Sequence, residues 1–117
     1  MKKVYVSDVN TRFSEFNEAV MSYDLVPNIE DSTDVIVAPG GMAVFSDIFK
    51  AIELKKDVYL YNKDLYFSGL INNLHKGHEE GYIEKEPSGY MHIESNIDDL
   101  VREMEAKEDG INNGKSR

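Results

Sequence analysis

Cysteine is absent from all 117 residues, which removes both a disulfide framework and a thiolate metal site and leaves packing to hold the fold together. No basic patch offsets the formal net charge of −9, so the whole-chain field repels a nucleic-acid backbone. The first residues, "MKKVYVSD", contain an apolar stretch only as long as a strand, too short for a signal-peptide core or a membrane span. The expectation is a soluble cytoplasmic protein with neither nucleic acid nor membrane among its partners. What the chain does have, 41% hydrophobic residues over this length, suffices for one compact core and little more. A single domain over residues 1–108 is expected, with the tail "DGINNGKSR" lacking apolar periodicity and expected to be disordered.

Apolar periodicity alternates between two kinds along the chain. "KKVYVSD" reads as a strand, and "TRFSEFNEAVMSYDL" as a helix with Phe13, Phe16, Ala19, Val20 and Tyr23 at three- and four-residue spacing. "TDVIVAPG" is a second strand, and its continuous apolar character suggests cover on both faces, as in a parallel sheet. "MAVFSDIFKAIEL" follows as a helix and "KDVYLYN" as a strand. "DLYFSGLINNLHKGHEEGYI" reads as a helix ending near Gly81, "YMHIES" as a strand, and "NIDDLVREMEAKE" as a helix capped by Asn96. Strands alternating with helices imply a small doubly wound α/β sandwich of three layers, with a mainly parallel sheet of the Rossmann-like kind.

The second strand hands over to its helix through Pro39, Gly40 and Gly41. In open parallel sheets ligands collect at the carboxyl ends of strands, and a glycine turn into a helix exposes backbone N–H groups at the positive end of the helix dipole. Glycine would serve there by accepting positive φ and by letting a phosphate approach the backbone. The plainer reading is a tight turn.

The residues that follow are more specific. "PGGMAVFSD" resembles the PGGxGTxxE motif of the LOG family, the cytokinin-activating phosphoribohydrolases once labelled lysine decarboxylases, within the wider SLOG group. "FKAIELKKDVYLYNKDLYFSGLINNLHKGHEEGYI" resembles that family's helix, its KPVGLLN strand, its GYY turn and its EEGFI helix end, and "HIESNIDDLVREME" is similar to its final strand and helix. The likeness runs from about Thr33 to Ala106. It implies phosphate binding by Pro39, Gly40, Gly41, Met42, Ala43 and Val44, and a catalytic role at Asp47. The departures are Ala43 and Val44 where the family has Gly and Thr, and Asp47 where it has the catalytic Glu, one methylene longer. Most of the family's N-terminal half is missing, with "KKVYVSDVNTR" standing for its first strand and loop.

Helical spacing places Phe45, Ile48, Phe49 and Ile52 on one face of the second helix, expected to pack on the sheet, and Ser46, Lys50 and Glu53 on a solvated stripe. Asp47 falls among Ala43, Val44, Ala51 and Leu54 on a second apolar face. A carboxylate there needs a partner or a ligand, unless it is simply hydrated in the first turn of the helix. Two apolar faces in so small a protein suggest a homodimer through the second, unless the N-terminal helix covers it, and LOG-like proteins also set their cleft beside a dimer interface.

Other candidates lie at the same sheet edge. Ser7, Asp8, Asn10 and Thr11 could meet a ribose or base, Arg12 a phosphate, and Asn62 a ligand with Tyr66 packing on it. Asn10 or Thr11 suits the cap of the first helix. His75 and His78 have a spacing that can hold a metal on a helix, but no third ligand is evident, so no metal is expected. His92 reads as structural. No cofactor is implied. The function expected is binding of a nucleotide or a nucleotide-derived phosphorylated molecule with little catalysis. The alternative is an N-glycosidic hydrolase or a deoxyribosyltransferase-like enzyme with Asp47 as nucleophile or charge stabiliser.

Overall fold

The computed structural model describes residues 2–7 and 13–109, with side chains as far as residue 106. Five strands form one sheet: β1 (Lys3–Ser7), β2 (Asp24–Leu25), β3 (Asp34–Val37), β4 (Asp57–Tyr61) and β5 (Met91–Glu94). They lie in the order β2-β1-β3-β4-β5, and every pairing is parallel. Four helices, α1 (Ser14–Val20), α2 (Met42–Glu53), α3 (Ser68–Glu79) and α4 (Ile97–Asp109), make the crossovers and the outer layers. The expected α/β sandwich is the architecture found.

Strand alternation assigns the two cores. Val4 and Val6 of β1, Ile36 of β3, and Tyr59 and Tyr61 of β4 join Phe16 and Val20 of α1 and Leu100 and Met104 of α4. Val35 and Val37 of β3 and Val58 and Leu60 of β4 face the other way, onto Val44, Ile48 and Ala51 of α2 and Leu74 of α3. β3 therefore has no solvent-facing side.

Three boundaries differ from the sequence pattern. The first helix ends at Val20, and Asp24 and Leu25, expected as its last residues, pair with Lys3 and Val4 as the edge strand β2. Backbone pairing with β1 outweighs the helical periodicity there. The helix expected from Asp64 begins only at Ser68, because Asp64 and Leu65 have φ of 55° and 61°, outside any right-handed helix. A 3-10 turn at Lys63–Leu65 takes their place. At the far end, α3 stops at Glu79 with Gly81 at φ 87° and the Tyr82 N–H bonded to the Gly77 carbonyl, the left-handed helix stop in which glycine carries no steric penalty. Asn96 does cap α4, its Oδ1 accepting from the Asp99 N–H at 3.1 Å. Asp109, assigned to the tail from sequence, belongs to α4, and the rest of the tail lies outside the described residues.

The face of α2 is also rotated from the expectation. Val44, Ile48 and Ala51 are fully buried against the sheet, whereas Phe49 is 47% exposed. The small side chains Val44 and Ala51 let the helix lie close to the strands, and the bulky Phe49 falls at the margin. Of the face on which a homodimer was expected, Val44 and Ala51 are buried within the chain, whereas Ala43 and Leu54 are exposed, as are Met42 and Phe49.

α2 ends in the same kind of motif as α3, but with a lysine in the left-handed position. Lys55 has φ 62°, and the Lys56 N–H reaches back to the Ala51 carbonyl at 2.9 Å. Left-handed backbone costs a residue with a Cβ about 1–2 kcal/mol, part of which glycine gives back in chain entropy. Lys55→Gly is therefore expected to stabilise the fold by about 0.5–1 kcal/mol, read as a higher denaturant midpoint at unchanged m-value.

Two tyrosines of β4 make stability sensitive to alkali. Burial, with the hydrogen bond to Glu15 at 2.6 Å, pushes the Tyr61 hydroxyl up to about 12. Burial also raises that of Tyr59, next to the charges of Asp34 and Asp57. An unfolded tyrosine titrates near pH 10. The unfolded chain therefore releases these protons first, so the contribution is complete below about pH 10 and is lost as pH rises toward 12, at up to about 1.4 kcal/mol per pH unit per group. Urea unfolding at about pH 9 and about pH 11 should show this fall, and Tyr61→Phe should flatten it.

Candidate functional site

In a sheet of this order the chain winds outward in opposite directions from β1 and β3, and the crevice between their carboxyl ends is where ligands bind in doubly wound folds. β1 ends at Ser7 and β3 at Val37, in register with each other. Ala38, Pro39, Gly40 and Gly41 then lead into α2 over that crevice.

The turn is open to solvent on its helix side. Pro39 and Gly40 are half-buried and Gly41, Met42 and Ala43 are exposed. Gly41 is the N-cap of α2 with φ −93° and ψ −151°, and no side chain caps the helix. Gly81 is the glycine with positive φ among the described residues, so the turn does not use glycine for its backbone angles. What Gly41 supplies is space: a Cβ there would meet no atom within 4 Å. The first N–H groups of a helix have no carbonyl ahead of them. Val44, however, donates its N–H to the Gly41 carbonyl at 3.1 Å and buries its side chain completely, so neither faces a ligand.

Asp47 lies one turn further along, half-buried, and meets partners from β1. Its Oδ2 accepts hydrogen bonds from the Ser7 hydroxyl at 2.7 Å and the Tyr5 hydroxyl at 3.1 Å. Burial raises the Tyr5 pKa, and the neighbouring Asp47 and Glu30 charges add to the shift, keeping the hydroxyl a donor over a wide pH range. Both donors engage the same carboxylate oxygen. The pair fixes the Asp47 rotamer and ties α2 to β1. Tyr5 was not singled out from the sequence, although period-two alternation in "KVYVS" places it on the same face as Ser7.

The remaining candidates divide clearly. Ser7 is fully buried and spends its proton on Asp47, so it positions the carboxylate and does not reach a ribose or base. Asp8, Asn10, Thr11 and Arg12 lie outside the described residues. Asn62, 5% exposed, is a structural residue: its Oδ1 accepts from the Phe67 N–H at 2.6 Å and its Nδ2 donates to the Ser68 hydroxyl at 3.4 Å. That bridge spans the two left-handed residues between β4 and α3 and holds Tyr66 in place. The Tyr66 hydroxyl donates to the Gly40 carbonyl, and its ring, 46% exposed, packs beside Phe45 at 6.2 Å. An aromatic wall thus stands over the turn. His75 pairs with Glu86 at 3.3 Å and His78 with the Ile83 carbonyl at 3.0 Å, and among the described residues no cluster of three metal-ligating side chains occurs. His92, half-buried, stacks on Tyr59 with centroids 4.4 Å apart and lies 3.4 Å from Asp57.

The site and fold together define a small, wholly parallel α/β protein with a glycine turn at its switch point. Scanned against models of known protein families and against curated proteins, the chain matches none. No helix among the described residues is long and apolar enough to cross a membrane.

The Asn62 bridge generates a test. Asn62→Ala leaves the buried Phe67 N–H without an acceptor and is expected to cost about 1–3 kcal/mol in urea unfolding. Asn62→Asp, which keeps the acceptor, should cost less.

Proposed function

We propose that the protein binds a nucleotide-like phosphorylated small molecule at the junction of β3 and α2, its phosphate on the backbone of Gly40, Gly41, Met42 and Ala43 and its ribose or base along Tyr66. The observation that carries this reading is the Gly-Gly turn, exposed at Gly41, leading into a helix N-terminus without a side-chain cap at the switch point of the sheet. The open space at the Cβ position of Gly41 and the similarity of "PGGMAVFSD" to the LOG phosphate motif support it. The charge of −9 favours a small ligand over a phosphate polymer.

One observation favours a second reading, N-glycosidic bond cleavage. Asp47 is held by two hydroxyl donors on Oδ2, which leaves Oδ1 to stabilise or attack an anomeric carbon. Against it, an aspartate reaches about 1.5 Å less far than a glutamate, enough to cost roughly 10²-fold in rate. Val44 also brings no hydroxyl to the phosphate.

Nucleoside mono- and diphosphates are therefore expected to raise the melting temperature, while the matching nucleosides do so weakly. Gly41→Val should abolish the response in a chain that still folds, because its Cβ meets no neighbour. A panel without any shift overturns the binding reading. Chromatography of the same mixtures should find no more than traces of free base, and Asp47→Asn should leave binding largely intact. Robust release that depends on Asp47 would make the protein a hydrolase.

A further inference from the structure

At the opposite edge of the sheet, where the strands begin, the end of α2, the start of β4 and the segment before β5 enclose a cavity of about 260 Å³. Its apolar lining is Ile52, Ile83 and the ring of Tyr90, and its polar lining includes Lys55, Glu84 and Lys85. The walls are anchored. A Cβ on Gly77 would lie 2.7 Å from Ile83 Cδ1, so only glycine lets Ile83 press onto α3 at this distance. The Tyr82 and Ile83 N–H groups both bond to the Gly77 carbonyl, and His78 holds the Ile83 carbonyl at 3.0 Å. On the other side Glu86 accepts from the Ser88 N–H at 2.9 Å and caps the 3-10 turn Pro87–Gly89.

Four charged side chains line this cavity: Lys55, Asp57, Glu84 and Lys85. Lys50, Lys63 and Lys76 each pair with a carboxylate and Lys56 reaches the Glu30 carbonyl, but the side chains of Lys55, Lys85 and Glu84 have no hydrogen bond or ion pair with any described residue. The fourth charge, Asp57, lies 3.4 Å from His92. Two unpaired ammonium groups, those of Lys55 and Lys85, thus line the cavity together with the carboxylates of Glu84 and Asp57, the latter beside His92. Lys55 also occupies the left-handed position after α2, where glycine is the unstrained choice. Strain kept at a residue that lines a cavity points to a use for its side chain.

We infer that this cavity is a second binding site, for a small carboxylic acid with an aromatic or branched aliphatic body: the carboxylate meets Lys55 and Lys85, and the body packs on Ile52, Ile83 and Tyr90. The volume is just below the roughly 300–1,000 Å³ of cavities that take drug-sized ligands, which limits the body to about one ring. The site is separate from the Gly-Gly turn, so its test does not depend on the function proposed there.

The test is titration with 3-phenylpropanoate and with phenethylamine, the same body bearing the opposite charge, followed by amide chemical shifts. The carboxylate should give saturable shifts at Ile83, Gly89 and Tyr90, and the amine should not. Gly89 lines the cavity and a Cβ there meets no atom within 4 Å, so Gly89→Leu should fill the space in a folded chain and abolish the shifts. Lys55→Gly, which relieves backbone strain, should nonetheless weaken binding by roughly three- to fivefold, the range of an exposed ion pair, and Lys85→Gln similarly. Absence of saturable shifts with the carboxylate, equal binding of the amine, or unchanged affinity in both lysine variants overturns the proposal.

Discussion

Val35, Ile36 and Val37 leave no surface to solvent, and a strand with that property must lie inside a sheet with a helical layer on each side. From that constraint the rest of the architecture follows. β1 and β4 flank β3 in parallel, the crossovers put α1 and α4 on one face and α2 and α3 on the other, and two separate apolar cores form. Because all strands run the same way, the ends of β1 and β3 open at a single edge, and the connection from β3 to α2 has to pass over it.

The polar chemistry at that edge answers a burial problem. Asp47 sits on the margin of α2 between the sheet face and solvent, where an unpartnered carboxylate would be costly. Ser7 and Tyr5 resolve this from β1, two residues apart on one face of the strand. The arrangement couples the helix carrying the glycine turn to the strand at the switch point. Tyr66 couples the same turn to the loop after β4 through the Gly40 carbonyl. The glycine turn is therefore gripped from two sides while its helix end remains open.

Backbone strain is concentrated in the connections. Asp64 and Leu65 follow β4 near the candidate site, and Lys55 precedes it near the second cavity. In the first case the strain is held by buried Asn62, which spans the turn and positions Tyr66. In the second it is held by the closing hydrogen bond of α2 from Lys56 to Ala51. The two sets of non-glycine left-handed residues thus lie in the connections at the two ends of β4.

Hydrophobic period and continuity determined a good deal without coordinates: the parallel strands β1, β3, β4 and β5, the four helices, the cap at Asn96 and the stop near Gly81. These signals are local, and each is written in residues a few positions apart. The short edge strand at Asp24–Leu25 was not legible, because two residues become a strand only through the backbone of β1. Nor was the orientation of α2, since Phe49 and Val44 are both apolar and only the contact distance to the sheet decides which is buried. Asp47 stood out as an ill-placed charge, but its partners lie 40 and 42 residues away on β1. Asn62 shows the same limit from the other direction: its position at the carboxyl edge suggested a ligand, and only the folded loop, by placing the Phe67 N–H within its reach, made it a structural residue. Which polar groups are consumed by the fold and which stay free is set by distances between segments remote in the chain, and that only the tertiary structure could decide.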